Sequence, residues 1–398
     1  MKSSKVRGKV RFGIVGMGNM GNQHARIITE DRSRQFELAA IADWDEAKRP
    51  LGEKFSVPFF AGAEELLDSG LIDAVLIAVP HYFHRPLTYQ AARRGIHVLC
   101  EKPLSSSVGE ARDMIAECRR RKVVLGAMLQ QRTRPVMKKM KQMVDRGAIG
   151  EVFRVQMICS SWFRTQAYYD SGAWRGTWDG EGGGVLINQA PHSLDLFQWI
   201  GMGLPKTITA SLATREHKIE VEDTANLICD YGQGRIGYIY ATTAEEPGME
   251  QLMVIGDKGT LIAEGKTLRY GKLSQPISKH IYGSKHSFAG GGEMKLKWTD
   301  VKIPDAKQGH IEITRAFARH LLTGSPLVAT AEEAINELEI SNAAYLSGFA
   351  DGRPVSLPVD AAAMERLLNR LVRQRSTGKG GDFRRAAAKE MKRILAKK

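Results

Sequence analysis

The stretch Val10-Arg11-Phe12-Gly13-Ile14-Val15-Gly16-Met17-Gly18-Asn19-Met20-Gly21 decides the fold. An apolar run, Val10–Val15, leads straight into Gly-x-Gly-x-x-Gly, and residues 20–29 follow with apolar side chains at helical spacing. Gly16 permits a tight turn, Gly18 lets the backbone approach a pyrophosphate, and Gly21 lets the helix pack close to the sheet. The helix amides then face the anion. Such a glycine pattern carries weight only in context, and here Asp43 supplies it, ending the second apolar run 22 residues past Gly21. A carboxylate at that point accepts hydrogen bonds from ribose hydroxyls and repels a 2′-phosphate, favouring NAD over NADP. Trp44 and Arg49 stand close enough in sequence to modify that choice.

Outward from this motif, residues 10–15, 37–42, 74–79, 97–100 and 123–128 read as buried strands rich in Val, Ile and Leu. Segments 20–29, 84–94 and 108–121 between them have helical periodicity, so the first 130 residues predict an α/β, Rossmann-type doubly wound parallel sheet. The pattern changes at Pro135. After a helix over 136–146 and a turn at 147–150, strands at 152–160, 207–214, 225–231, 235–241 and 251–255 alternate without intervening helices. They predict a large open, mostly antiparallel sheet. Helices return at 311–322, 331–349 and 360–375, and a joint at 376–382 precedes a basic helix over 383–396. The division is a dinucleotide-binding domain (1–130), an α+β substrate and oligomerisation domain (131–358), and C-terminal helices with a basic tail (359–398).

The net charge of +14 is concentrated at the ends: residues 1–11 carry +5 and 366–398 carry +10, leaving −1 for 12–365. A nucleic-acid reader carries its charge on the folded face, so no specific nucleic-acid partner is expected. The tail reads as a solvated basic helix, whose removal (376–398) should leave turnover unchanged. No apolar run reaches transmembrane length, and residues 1–11 lack the pattern of a signal peptide. Cys100, Cys118, Cys159 and Cys229 have no metal-like spacing and read as free thiols in a reducing cytoplasm.

Two further strand ends belong beside the nicotinamide half of such a cleft: Val79-Pro80-His81-Tyr82-Phe83-His84 and Cys100-Glu101-Lys102-Pro103-Leu104. They make Val79, Pro80, His84, Glu101 and Lys102 candidate cofactor contacts, alongside Gly16, Met17, Gly18, Asn19, Met20, Gly21 and Asp43. A lysine at that mouth can hydrogen-bond a reacting oxygen and favour its alkoxide. Further on, Gly182-Gly183-Gly184 precedes Val185-Leu186-Ile187-Asn188-Gln189-Ala190-Pro191-His192-Ser193-Leu194-Asp195. Read as one helix, Asn188, His192 and Asp195 share a face. Pro191 either starts that helix or kinks it.

Taken together, Gly16–Gly21 with Asp43, Pro80 to His84, Glu101-Lys102-Pro103, and Gly182–Gly184 with His192 and Asp195 resemble the Gfo/Idh/MocA oxidoreductase family, over roughly residues 10–358. The resemblance implies the two-domain fold, homodimers or homotetramers built through the second domain's sheet, a catalytic Lys102, and a cis peptide bond before Pro103. It implies an NAD-dependent dehydrogenase acting on CH–OH groups, in which His192 takes the hydroxyl proton while Lys102 stabilises the developing charge. Family members commonly carry Asp four residues before this histidine, where this chain has Asn188. An amide cannot take a proton, so the burden falls on Lys102 and His192. Asn188 and Asp195 become substrate or orienting ligands, and Glu181 a weaker candidate acid.

Residues 161–182 form a presumed loop crowded with Trp162, Phe163, Arg164, Tyr168, Tyr169, Asp170, Trp174, Arg175, Trp178, Asp179 and Glu181. Aromatic faces beside Arg and Asp suit a sugar ring, making Arg164, Tyr168, Trp174 and Arg175 substrate-binding candidates; an inter-subunit packing loop is the alternative. Residues 168–178, followed by 182–189, also resemble a subgroup of the family, some of whose members oxidise the 3-hydroxyl of glucosides. His280, His286 and His310 read as structural, and no metal is implied. The substrate reads as a polyol, sugar or glycoside. Alternative functions are an NAD-dependent glycosidase working by transient oxidation and elimination, and a non-catalytic NAD- or sugar-sensing protein.

Overall fold

Six short strands, several buried along their whole length, form the first sheet of the computed structural model, which describes residues 6, 8–287, 294–375 and 377–396. Most of the basic start of the chain, Ser376 of the joint, and Lys397 and Lys398 of the tail lie outside the described residues. The strands are β1 (Val10–Val15), β2 (Phe36–Ala42), β3 (Phe59–Phe60), β4 (Ala74–Ile77), β5 (His97–Cys100) and β6 (Leu125–Ala127). All pair in parallel, in the order β3-β2-β1-β4-β5-β6. Burial on both faces explains why these segments read as continuous apolar runs. The order reverses between β1 and β4, and ligands of such sheets sit outside the carboxyl ends at that reversal. Helices α1 (Asn19–Thr29), α2 (Pro50–Phe55), α3 (Ala63–Asp68), α4 (His84–Arg93) and α5 (Val108–Arg121) accompany the strands.

Helix α6 (Pro135–Asp145) leads to the second sheet, of nine strands: β7 (Val152–Cys159), β8 (Thr207–Ala213), β9 (Thr224–Gly232), β10 (Arg235–Thr242), β11 (Glu250–Gly256), β12 (Gly259–Glu264), β13 (Thr267–Leu273), β14 (Leu296–Asp300) and β15 (Val355–Ser356). Their order is β14-β13-β12-β11-β7-β10-β9-β8-β15, with β7 and β10 the one parallel pair among the described strands of this sheet. β9 alternates buried and exposed residues, the pattern of a sheet covered on one face only. Short helices α7 (Gln166–Asp170) and α9 (Ile277–Gly283) fall in loops, and α8 (Pro191–Ile200) packs on β7.

The chain then returns. Ile313, Phe317, Ala318 and Leu321 of α10 (His310–Thr323) join Val10, Phe12 and Ile14 in one apolar cluster under the first sheet. Helix α11 (Ala331–Gly348) begins with a capping box between Thr330 and Glu333 and lies against both α8 and β8. Helix α12 (Ala361–Arg375) follows. The last helix, α13 (Phe383–Ala396), corrects the sequence reading: it is docked, not solvated. Ala387, Met391 and Ile394 are buried, and the helix packs along α4. Alternation of basic residues with Ala387, Met391 and Ile394 gives it an apolar stripe as well as a charged face. All four cysteines are free and buried. Among the described residues, no helix is long and apolar enough to cross a membrane.

Candidate active site

A cavity of about 1100 Å³ opens at the carboxyl ends of β1, β2 and β4, facing the loop that follows β7. At its first-sheet end, Gly16 has φ +92°, a backbone shape costly for any side chain, and a Cβ on Gly21 would lie 1.8 Å from the Gly16 carbonyl oxygen. Nothing lies within 4 Å of where a Cβ of Gly18 would point, and Gly18, Asn19 and Met20 line the cavity at the start of α1. The chain thus leaves room for a phosphate at a helix N-terminus. Asp43 also lines the cavity; its carboxylate accepts the amides of Met17 (2.6 Å) and Asp45 (2.9 Å). Met17 and Gly21 lie behind the lining and shape the turn.

Val79, Pro80, His84, Glu101 and Lys102 bound the middle of the cavity. Both ring nitrogens of buried His84 lie against backbone carbonyls, Val79 O at 2.8 Å and Pro103 O at 3.0 Å, so His84 ties the two strand ends together. The Lys102–Pro103 peptide is cis. Glu101 sits against buried His24 (2.6 Å) and accepts the Lys102 amide (3.1 Å). Burial opposes its charge, but the His24 hydrogen bond and nearby cations win, holding its carboxyl down to about 2. The Lys102 ammonium donates to the Asn188 carbonyl at 2.8 Å, and burial lowers its pKa.

Helix α8 starts at Pro191, in the first helical turn where a missing N–H costs nothing, so Asn188 stands in the preceding turn and not on the helix. His192 lines the cavity, is 8 % exposed, and has no hydrogen-bond partner on either ring nitrogen among the described residues. Burial and the charge of Lys102 push it down to about 3, so the ring is neutral. Asp195 corrects the sequence reading. It does not line the cavity: Arg132 grips its carboxylate with two hydrogen bonds (2.8 and 2.7 Å), both residues 1 % exposed. One turn from His192, it has been claimed by a buried ion pair that seats α8.

The aromatic loop divides. Trp178 and Tyr169 are core residues, Trp178 packed edge-on to Tyr345 and Phe349. Trp162, Arg164, Tyr168, Trp174 and Arg175 face the cavity. The Tyr168 ring lies between the guanidinium groups of Arg164 (4.6 Å) and Arg175 (4.4 Å), and its hydroxyl accepts from Arg175 (2.5 Å) and Gln189 (3.3 Å). Glu181 is buried behind this wall, holding the Gly176 amide (2.7 Å) and the Asn188 side-chain amide. Burial raises its carboxyl to about 8, so it is largely a neutral acid. Gln189, His24 and His310 had no sequence signal. Gln189 and His310 line the cavity, and His310, read from sequence as structural, stacks edge-on to His24 at 5.2 Å. Among the described residues no group of three or more metal-ligating side chains occurs.

Residues 10–128 match the family model described as an oxidoreductase family with NAD-binding Rossmann fold, and residues 137–262 match the GFO/IDH/MocA C-terminal domain. The chain belongs to this family of NAD-binding oxidoreductases. Among curated relatives, the rhizopine catabolism protein MocA of Rhizobium meliloti is 29% identical over 60% of this chain and 73% of its own length. The myo-inositol 2-dehydrogenase of Thermotoga maritima is 27% identical over 64% and 75%. Among solved structures, the WlbA dehydrogenase of Bordetella pertussis, in complex with NADH and UDP-GlcNAcA, is 26% identical, with a TM-score of 0.75 over 88% of this chain and 100% of that one.

The Arg132–Asp195 pair makes a direct prediction. Arg132→Ala leaves a carboxylate buried without its partner and should cost about 3–5 kcal/mol of stability, read as a fall in the urea midpoint. Wild-type stability in that variant would contradict the structural role assigned to Asp195.

Proposed function

We propose that this chain oxidises a secondary hydroxyl of a sugar, cyclitol or glycoside, with NAD as hydride acceptor. The observation that carries the reading is His192: a buried, neutral imidazole on the cavity wall, both nitrogens unpartnered among the described residues, beside the Lys102 ammonium. Buried polar atoms are ordinarily satisfied, so an orphaned ring facing a cavity awaits a ligand's polar group. NAD, when bound, supplies the hydride-accepting ring.

The chain's own residues supply the rest. Lys102 has three N–H donors and spends one on Asn188, leaving donors for the reacting oxygen and favouring its alkoxide form. His192 accepts the hydroxyl proton at a ring nitrogen. Gly16, Gly18, Asn19 and Met20 receive the pyrophosphate, and Asp43 the ribose, which is the basis for choosing NAD over NADP. Trp174 offers aromatic surface to a sugar ring, while Arg164, Tyr168, Arg175, Asn188 and Gln189 offer hydrogen bonds to its hydroxyls. The 3-hydroxyl of a glucoside is the position we favour, on the likeness of residues 168–189 to that subgroup. A homodimer or homotetramer through the second sheet is part of the same reading: Ile228 and Tyr238 stand opposite each other on β9 and β10, both exposed.

Four outcomes check this. Against a panel of free sugars, inositols, acid sugars and glucosides, at least one compound should give lasting NADH absorbance; aglycone release without net NADH would indicate a glycosidase instead. Lys102→Ala should lower that rate by at least about two orders of magnitude with NAD binding largely intact. Because burial pushes His192 far below 6.5, the acid limb of kcat/KM should lie well under that value, and a limb at 6.5 would contradict the desolvated, neutral state assigned to the ring. Replacing both Ile228 and Tyr238 by Glu should halve or quarter the mass seen in sedimentation, and an unchanged mass would exclude this sheet face as the interface.

A further inference from the structure

Helix α13 lies outside both family-matched stretches, yet it forms one wall of the cavity. Phe383, Ala386, Glu390 and Arg393, spaced at three, four and three residues, share one face of the helix and line the cavity beside Asp43, Trp44 and Gly62. The adjoining stripe, Ala387, Met391 and Ile394, is buried, and the helix packs along α4. Polar ties fix this placement. Gln90 donates to Glu390 (2.5 Å), Arg393 to Glu64 (2.9 Å), and Arg384 to the Tyr82 hydroxyl (3.3 Å); Asp179 accepts the Arg384 amide (3.3 Å). The approach to the helix is held too, since Thr377 donates to Glu220 and Lys379 to the Tyr169 carbonyl (2.8 Å).

The wall has a definite chemistry. Phe383 meets Phe83 edge-on at 6.1 Å, and Phe83 meets Trp44 at 5.7 Å, a row of three rings at the Asp43 end of the cavity. Ala386 presents only a methyl group beside them. Flat aromatic and small apolar surface next to a ribose-binding carboxylate suits a purine nucleoside.

We propose that α13 is a fixed wall of the adenosine half of the dinucleotide site, with Phe383 and Ala386 packing on the adenine. The proposal rests on the NAD reading above and extends it to a helix that reads in sequence as a dispensable tail. It is tested with the full-length protein by titrating NADH, ADP-ribose and reduced nicotinamide mononucleotide, which has no adenosine. Phe383→Ala, which removes a ring, and Ala386→Phe, which fills the groove from an exposed position, should each weaken NADH and ADP-ribose by about tenfold, the scale of one base stacked on an aromatic ring. Mononucleotide affinity should not change, and neither should any affinity in Lys389→Ala, on the solvent side of the helix. Unchanged NADH affinity in both variants overturns the proposal, as does equal weakening of the mononucleotide. Failure of the wild type to bind NADH at all would sink the dinucleotide reading itself, and this extension with it.

Discussion

A lysine ammonium held in a largely apolar cavity is the interaction around which this protein is arranged. Removing such a charge from water is costly unless neighbours answer it, and burial does pull the Lys102 pKa down. The answering groups come from both halves of the chain. Glu101 is kept ionised by His24 from α1, and the Asn188 carbonyl reaches in from the segment before α8. Lys102 therefore needs the first sheet for its position and the second domain for its partner. A buried cation on a cavity wall is a means of stabilising negative charge that develops beside it.

His192 is complementary to it. The same positive charge that would favour an alkoxide also disfavours a second cation, and burial adds to this, so the imidazole stays neutral and able to accept a proton. Asn188, in the place of the carboxylate common in the family, adds no charge to this pair. It is instead held by Glu181, a buried acid whose carboxyl is raised to about 8. The electrostatics around the reacting position thus centre on the Lys102 ammonium, answered by ionised Glu101, and one neutral base, with the guanidinium groups of Arg164 and Arg175 on the same cavity wall.

Much of this was legible in the sequence, for identifiable reasons. Val10–Val15 and Gly16–Gly21 specify a strand, a turn and a helix N-terminus within twelve residues, using short-range backbone rules that tertiary contacts seldom override. Lys102 was readable because a strand end in a parallel sheet has only one place to be. Asp195 was not, because helical spacing relates it to His192 but says nothing of Arg132, 63 residues away in the chain, which takes its carboxylate. His24 and His310 meet only in three dimensions, through the return of α10 to the first sheet. Helix α13 was misread because its charge was counted and its apolar stripe was not. Strand β14 was missed because it is exposed along its whole length, so alternation had little to register.

The central claim is that hydride leaves a carbinol carbon for a dinucleotide held beside Lys102 and His192. The most direct measurement uses whichever compound of the sugar, inositol and glucoside panel yields NADH, prepared with deuterium at the carbon bearing the reacting hydroxyl, in a single turnover with NAD. The account predicts that the reduced dinucleotide carries the deuterium and that the rate shows a primary isotope effect. Deuterium released to water, with unlabelled NADH or none formed, would contradict it.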